Sequence, residues 1–129
     1  MTTAEPVAAT TPAQVSEIWA AAFNRGDIDG MMALYTADCA FVADPTQVVR
    51  GTDGIRAVLE GFLAMKGTIT FTEATVVEHG NTALCHARWT ANGTGPEGPV
   101  EMGGYTSEVV QRQSDGTWKY VIDDPGMGR

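Results

Sequence analysis

From Thr68 to Asp123 the sequence carries no helical pattern. Val, Ile, Thr and aromatic residues dominate this half, and turn-forming residues fall at hairpin intervals: Gly80-Asn81, Gly93 to Pro99, and Ser114-Asp115-Gly116. The spacing predicts four strands, over 68–79, 82–92, 100–113 and 117–123, with Gly80-Asn81 as a two-residue hairpin turn. An antiparallel meander buries one of its faces, and the residues before Thr68 carry helical patterns that can cover it. With 129 residues there is room for a single core and one modest pocket.

The first half has the complementary pattern. Thr11-Pro12-Ala13-Gln14 reads as a helix start, with Thr11 as N-cap, Pro12 at the first helical position and Gln14 completing a capping box. Val15, Ile18, Trp19, Ala22 and Phe23 follow at helical spacing. Gly26 stops this helix, Asp27 caps a second, and Ile28, Met31, Met32 and Tyr35 continue the period. A short strand, Asp38 to Pro45, comes next. Alternation points Cys39, Phe41 and Ala43 one way and Ala40, Val42 and Asp44 the other. Pro45 ends the pairing, and the stretch to Gly51 reads as a loop. Thr52 then caps a third helix, with Ile55, Val58, Leu59, Phe62 and Met65 on one side and Gly67 at its end. Residues 1–10, rich in Thr, Ala and Pro, read as a flexible arm, and 11–129 as a single domain.

Helices first and strands after define an α+β domain, with the helices packed on one face of a curved antiparallel sheet. Such a sheet leaves a cone whose mouth is a natural pocket. Gly103-Gly104, inside a strand, is a place for a bend or bulge.

Charge and composition exclude several classes of function. The formal net charge is -8, and the eight Lys and Arg residues are scattered, so neither nucleic acid nor an anionic membrane surface is an expected partner. No apolar run approaches the roughly 18 residues of a membrane span. The first residues have neither a basic nor a hydrophobic region, which gives a cytoplasmic expectation. Cys39 and Cys85 lack CxxC spacing and read as buried, reduced thiols. Two histidines without HxH or HExxH spacing make no metal site. There is no Gly-rich phosphate loop and no GxSxG elbow, so no cofactor is expected.

Several runs carry a family resemblance. They are Arg25-Gly26-Asp27-Ile28-Asp29, Leu34-Tyr35-Thr36-Ala37-Asp38-Cys39-Ala40-Phe41, Asp44-Pro45 and Arg50-Gly51-Thr52-Asp53-Gly54-Ile55. In that order and spacing the chain resembles the nuclear-transport-factor-2-like (NTF2-like) superfamily, which includes the ketosteroid isomerases and polyketide cyclases. The ending Trp118-Lys119-Tyr120-Val121-Ile122-Asp123-Asp124-Pro125 is similar to that of many small members. The resemblance implies a cystatin-like cone, a curved sheet wrapped around three N-terminal helices. It also implies a homodimer packed through its sheet and a small apolar molecule as ligand.

In the ketosteroid isomerases an Asp just before a Pro, at the end of the first strand, shuttles a proton between carbons of an enolisable ketone. Asp44 occupies the matching place, so the resemblance makes it the candidate base. The bland alternative is a carboxylate that caps the following turn. Glu108 falls near the position of the family's late acid, as a possible proton donor to an enolate. Its alternatives are a solvated charge or a pair with Arg88 or Arg112. The tyrosine of the family's first helix is replaced by Trp19, whose indole donates a hydrogen bond but is no acid. Trp19, Tyr35, Phe62, His86, Trp89 and Met102 are the candidate substrate-contacting residues, with core packing or a surface position as the default for each. Asp123-Asp124 close the last strand, and alternation sends only one of them inward. An inward Asp123 would be another pocket acid; turn formation with Pro125-Gly126 is the favoured role. The functional expectation is a cofactor-independent isomerase, cyclase or lyase. A non-catalytic binding domain and an interaction module with an inert cone are the alternatives.

Overall fold

The structure, a computed structural model, describes residues 7–127. Helices α1 (Pro12–Asn24) and α2 (Ile28–Met32) precede strands β1 (Tyr35–Asp44) and β2 (Gln47–Arg50), and α3 (Thr52–Leu63) leads into β3 (Thr68–His79), β4 (Thr82–Gly95), β5 (Gly98–Tyr105), β6 (Ser107–Arg112) and β7 (Trp118–Asp124). The strands form one curved sheet in the order β2-β1-β7-β6-β4-β3, with β5 also paired to β4. Every ladder is antiparallel except that of β1 with β7, which is parallel. The helices cover the concave face. Val15, Trp19, Ala22 and Phe23 of α1 and Ile55 and Leu59 of α3 meet Phe41, Cys85, Trp89, Val110 and Tyr120 of the sheet in one buried cluster. The expected α+β architecture is thus present, with one parallel pair inside a meander otherwise antiparallel.

Local differences from the sequence reading have identifiable causes. Thr11 is the N-cap of α1 but makes no side-chain cap bond. Gln14 reaches back instead to Thr10, accepting from its backbone N–H at 2.8 Å and its hydroxyl at 3.0 Å. The third helix takes Gly51, not Thr52, as N-cap and ends at Leu63. The second helix stops at Met32, and Tyr35 begins β1 rather than ending a helix. Pro45 turns the chain straight back, so part of the expected loop is strand β2. Of the expected flexible arm, residues 1–6 lie outside the described residues. Ala9 is buried and accepts a backbone hydrogen bond from Trp118 at 2.9 Å. Cys39 and Cys85 are free and buried, and burial pushes the two thiols up to about 12 and about 11.

The expected strand 100–113 is broken at Thr106, where the hydroxyl replaces a ladder carbonyl and accepts the N–H of Ala87 at 2.9 Å. Gly103-Gly104 pairs with β4 without a register shift, so it makes no bulge there. The chain after β7 folds back over β5, and Gly104 bridges Met127. A Cβ on Gly104 would fall 2.1 Å from the carbonyl oxygen of Gly126. Only glycine allows this approach. Trp89 Nε1 donates to the carbonyl of Pro125 at 2.6 Å and fixes the tail from the other side.

Gly104→Ala should therefore lower stability by about 1–3 kcal/mol and raise hydrogen exchange in the tail. Gly61→Ala, on the exposed side of α3 with nothing within 4 Å of the new methyl group, should be neutral or stabilising by up to about 1 kcal/mol. Denaturant melts of the two variants check the contrast.

Candidate functional site

An apolar cavity opens between α1, α3 and the concave face of the sheet. Its empty space is about 560 Å3, counting the open mouth and the solvent in it. Trp19, Phe62, Phe71, Trp89 and Met102 supply its walls, and Pro125 and Met127 of the folded-back tail form part of the rim. The aromatic wall is pre-set. Trp19 stacks on Phe23 with centroids 5.3 Å apart and meets Phe71 edge-on at 6.1 Å.

Two carboxylates stand in this apolar setting. Glu108 of β6 and Asp123 of β7 are opposite each other in the ladder, only 3% and 6% exposed, and both line the cavity. Each is held by donors. Tyr35 donates its hydroxyl proton to Asp123 Oδ2 at 2.6 Å and itself accepts from Trp19 Nε1 at 2.9 Å. Thr106 and Tyr120 hydrogen-bond to the side chain of Glu108. Every buried side-chain nitrogen and oxygen among the described residues has a partner, as low-dielectric burial requires.

Burial first, and then the negative charge of Glu108, pushes the Asp123 carboxyl up to about 8; the Tyr35 bond opposes this. Burial also raises Glu108, while the Thr106 and Tyr120 hydrogen bonds and the nearby His86 favour its charged form. Glu108 thus has two donors and a neighbouring imidazole that favour its charge, and Asp123 faces that charge. Two raised carboxyls in an apolar cavity can hold a proton between them, which is one requirement of proton transfer.

The candidate residues fall into three groups. Trp19, Phe62, Trp89, Met102 and Glu108 line the cavity. Tyr35 and His86 do not: Tyr35 stands behind Asp123, and His86 sits on the other side of β4, its Nδ1 3.1 Å from the carbonyl oxygen of Thr106. Asp44 is corrected. Cys39, Ala40 and Phe41 are buried, but Asp44, beyond the register shift after Val42, is exposed. Its exposed carboxylate accepts from the backbone N–H and hydroxyl of Thr46 at 2.7 and 2.6 Å, which lowers its pKa and closes the turn into β2. Asp123, for which turn formation was favoured, is the second cavity acid, and Asp124 makes the turn by accepting from Gly126 N–H at 2.9 Å.

A bulge explains why Asp123 was hard to foresee. Alternation from Trp118 and Tyr120, both buried, would turn Ile122 and Asp124 inward. The register between β6 and β7 shifts at Val109/Val110, so Ile122 turns out and Asp123 in. The one legible signal is Glu108, which keeps step with the buried Val110 on the strand directly opposite.

The comparisons with known proteins agree with this architecture. Residues 16–121 match the SnoaL-like domain, and the chain belongs to that family, within the NTF2-like superfamily. Solved structures with the same fold include a candidate dehydratase of the NTF2-like family from Streptomyces avermitilis, with TM-score 0.75 and 18% identity over 87% of this chain and 90% of that one. Another is a candidate scytalone dehydratase from Novosphingobium aromaticivorans, with TM-score 0.76 and 16% identity over 87% and 78% of the two chains. A third is the CaMKII hub of S. rosetta, with TM-score 0.76 and 17% identity over 98% of this chain and 100% of that one. Identities this low establish the fold alone. Among curated proteins none matches significantly. No helix among the described residues is long and apolar enough to cross a membrane, and no group of three or more His, Cys, Asp and Glu among them is placed to hold a metal ion.

The raised pair fixes the sign of a pH effect. A carboxyl whose folded pKa exceeds its unfolded value is neutral in both states below about pH 4 and contributes no penalty there. As pH rises from about 4 towards 8 the unfolded chain ionises first, so stability falls, by about 1 kcal/mol per pH unit for each proton retained. Asp123→Asn should flatten this slope. Urea melts between pH 4.5 and 8 check it, and equal slopes in both proteins would contradict the buried pair. The depressed carboxyls Asp27, Asp44 and Asp115 titrate below this window.

Proposed function

We propose that the protein is a cofactor-independent enzyme that moves a proton on an apolar carbonyl compound, as an isomerase, cyclase or lyase does. The observation that carries this reading is the Glu108–Asp123 pair, two buried carboxylates facing each other at the floor of an aromatic cavity. In this reading the substrate's apolar body lies against Trp19, Phe62, Trp89 and Met102, and its carbonyl oxygen accepts a hydrogen bond from protonated Asp123. Glu108 takes the proton from the adjacent carbon, breaking the C–H bond as its electron pair forms the enolate. Isomerisation follows if Glu108 returns the proton to another carbon of the conjugated system. Dehydration follows if a β-hydroxyl leaves with a proton from one of the two acids, giving an enone and water. The two candidate dehydratases among the structural neighbours support the lyase form. Tyr35 and Trp19 act through Asp123: their hydrogen-bond chain holds the carboxyl oriented and leaves its other oxygen for the substrate.

A direct test needs no knowledge of the natural substrate. A proton-transfer site should catalyse exchange of the α-hydrogens of a compact aromatic ketone such as 1-tetralone in D2O, followed by mass spectrometry. Glu108→Gln should lower the protein-dependent rate by about a hundredfold or more. Asp123→Asn should reduce it less, since an amide still donates a hydrogen bond. Asp44→Asn should leave it unchanged. No exchange above buffer across a panel of cyclic ketones would overturn the enzymatic reading.

We also propose that the protein works as a homodimer packed through the outer face of its sheet. Val77, Leu84, Val109 and Ile122 lie in register across β3, β4, β6 and β7, and Val77, Leu84 and Ile122 are 64%, 43% and 42% exposed. An apolar row across the middle of a sheet is an unusual surface for a monomer. A second copy, offering the same row, is the occupant that matches it. Sedimentation should show a dimer that Leu84→Glu converts to a folded monomer; a wild-type monomer at micromolar concentration would refute the pairing.

A further inference from the structure

A second groove runs beneath the sheet, between the first half of α1 and the inner face of β3 and β4. It encloses about 760 Å3, counting its open mouth. Two irregularities opposite Ala87 shape it. On β3, the register shifts between Thr72 and Thr75, so Glu73 and Ala74 together oppose Ala87, and Glu73 adopts φ +53°. On the other side, Thr106 pairs with Ala87 through its hydroxyl. Bulges of this kind bend a strand away from its neighbours, and here Ala74, Thr75 and Val76 line the groove directly after the bend.

The groove and the inner cavity share a wall. Phe71 and Glu108 line both. Phe71 is half-buried, and its ring is set edge-on to Trp19. The partition between the two spaces is therefore a phenyl ring and the carboxylate read above as the base. The polar side chains on the inner side of the groove are Ser16, Glu17 and Glu108, and among the described residues neither space has a Lys or Arg in its lining. A phosphate or carboxylate there would meet Glu17 and Glu108 with no Lys or Arg beside it among the described residues, in a protein of net charge -8.

We propose that this groove is a second compartment of the ligand site, which takes the ammonium-bearing tail of an elongate ligand whose apolar ring occupies the inner cavity. The tail passes beside Phe71, with Glu17 on the exposed rim of α1 as its counter-charge. The proposal rests on the inner cavity as a ligand site, and not on its catalysis.

The test uses a matched fluorescent pair: dansylcadaverine and dansyl-6-aminohexanoic acid, which carry the same ring and the same pentyl linker but end in an ammonium or a carboxylate. Dansylamide, without a tail, reads the inner cavity alone. At low ionic strength the ammonium probe should bind the wild-type protein about tenfold more tightly than its carboxylate twin. Glu17→Gln should bring the two within about threefold of each other. Ala13→Trp, which fills the groove from an exposed position on α1, should remove the advantage of the ammonium tail and leave dansylamide binding unchanged. Equal affinities in the wild type, a preference that persists in both variants, or no binding by any probe would each overturn the proposal. The outcome is separable from the catalytic reading. Ketone exchange without tail preference removes the groove and leaves the enzyme, and tail preference without exchange does the reverse.

Discussion

The fold is organised by the cost of burying Glu108 and Asp123 opposite each other. Two carboxylates in an apolar cavity cannot both ionise cheaply, and an unpaired one costs several kcal/mol. The surrounding structure offsets this with donors drawn from distant parts of the chain. Tyr35 comes from the first residue of β1, Trp19 from α1, Thr106 from the break between β5 and β6, and Tyr120 from β7. None of these donors is a lysine or arginine. A cationic partner would have fixed both carboxylates as charges, whereas neutral hydroxyl donors leave a proton free to move between states. The same choice leaves two raised carboxyls whose ionisation opposes folding as pH rises.

That requirement also accounts for features that otherwise look like defects in the sheet. Thr106 interrupts a long strand, but its hydroxyl accepts from Ala87 N–H and hydrogen-bonds to Glu108, so one side chain repairs the ladder and supports the acid. The shift between β6 and β7 removes one step of alternation, and without it Asp124 rather than Asp123 would face the cavity. The parallel pairing of β1 with β7 brings Tyr35 beside Tyr120, with ring centroids 5.1 Å apart, and carries the Tyr35 hydroxyl to Asp123. Bulges and breaks are placed where a side chain must be re-aimed.

The sequence makes the architecture legible because hydrophobic period is a local property. The period-3.6 stretches at Val15 to Phe23 and Ile55 to Phe62 and the period-2 stretch of β4 all formed as their spacing requires. The aromatic lining was legible for the same reason, through Trp19, Phe62 and Trp89, and so was Glu108. The acids beyond Glu108 were not. Which residues of β1 are buried depends on where α3 packs and on the register shift after Val42, and Asp44, beyond that shift, is exposed. Which of Asp123 and Asp124 turns inward depends on a bulge that one strand's own residues do not mark. Tyr35 was expected at a helix end because its spacing from Met31 is helical, yet pairing with Tyr120 draws it into a strand. In each case a tertiary contact decided between two locally equal choices.

The outward turn of Asp44 has a consequence for how proton transfer would work in this cavity. A base on the β1 rim would approach a bound ketone from the side, opposite an acid on the late strands. Here both carboxyls come from adjacent strands, β6 and β7, and both line the same cavity. In the proposed reading a substrate therefore presents its carbonyl and its acidic C–H to the same surface, which is the geometry of neighbouring groups along one edge of a ring. The rest of the ligand is then directed away from the floor, towards the rim at Met102 and the folded-back tail or past Phe71 into the groove beneath α1. The tail of Pro125 to Met127, held by Trp89 and admitted by Gly104, narrows the first of these exits. On the proposed reading, what distinguishes one ligand from another is thus set less by the two carboxylates than by the walls that decide where its far end can go.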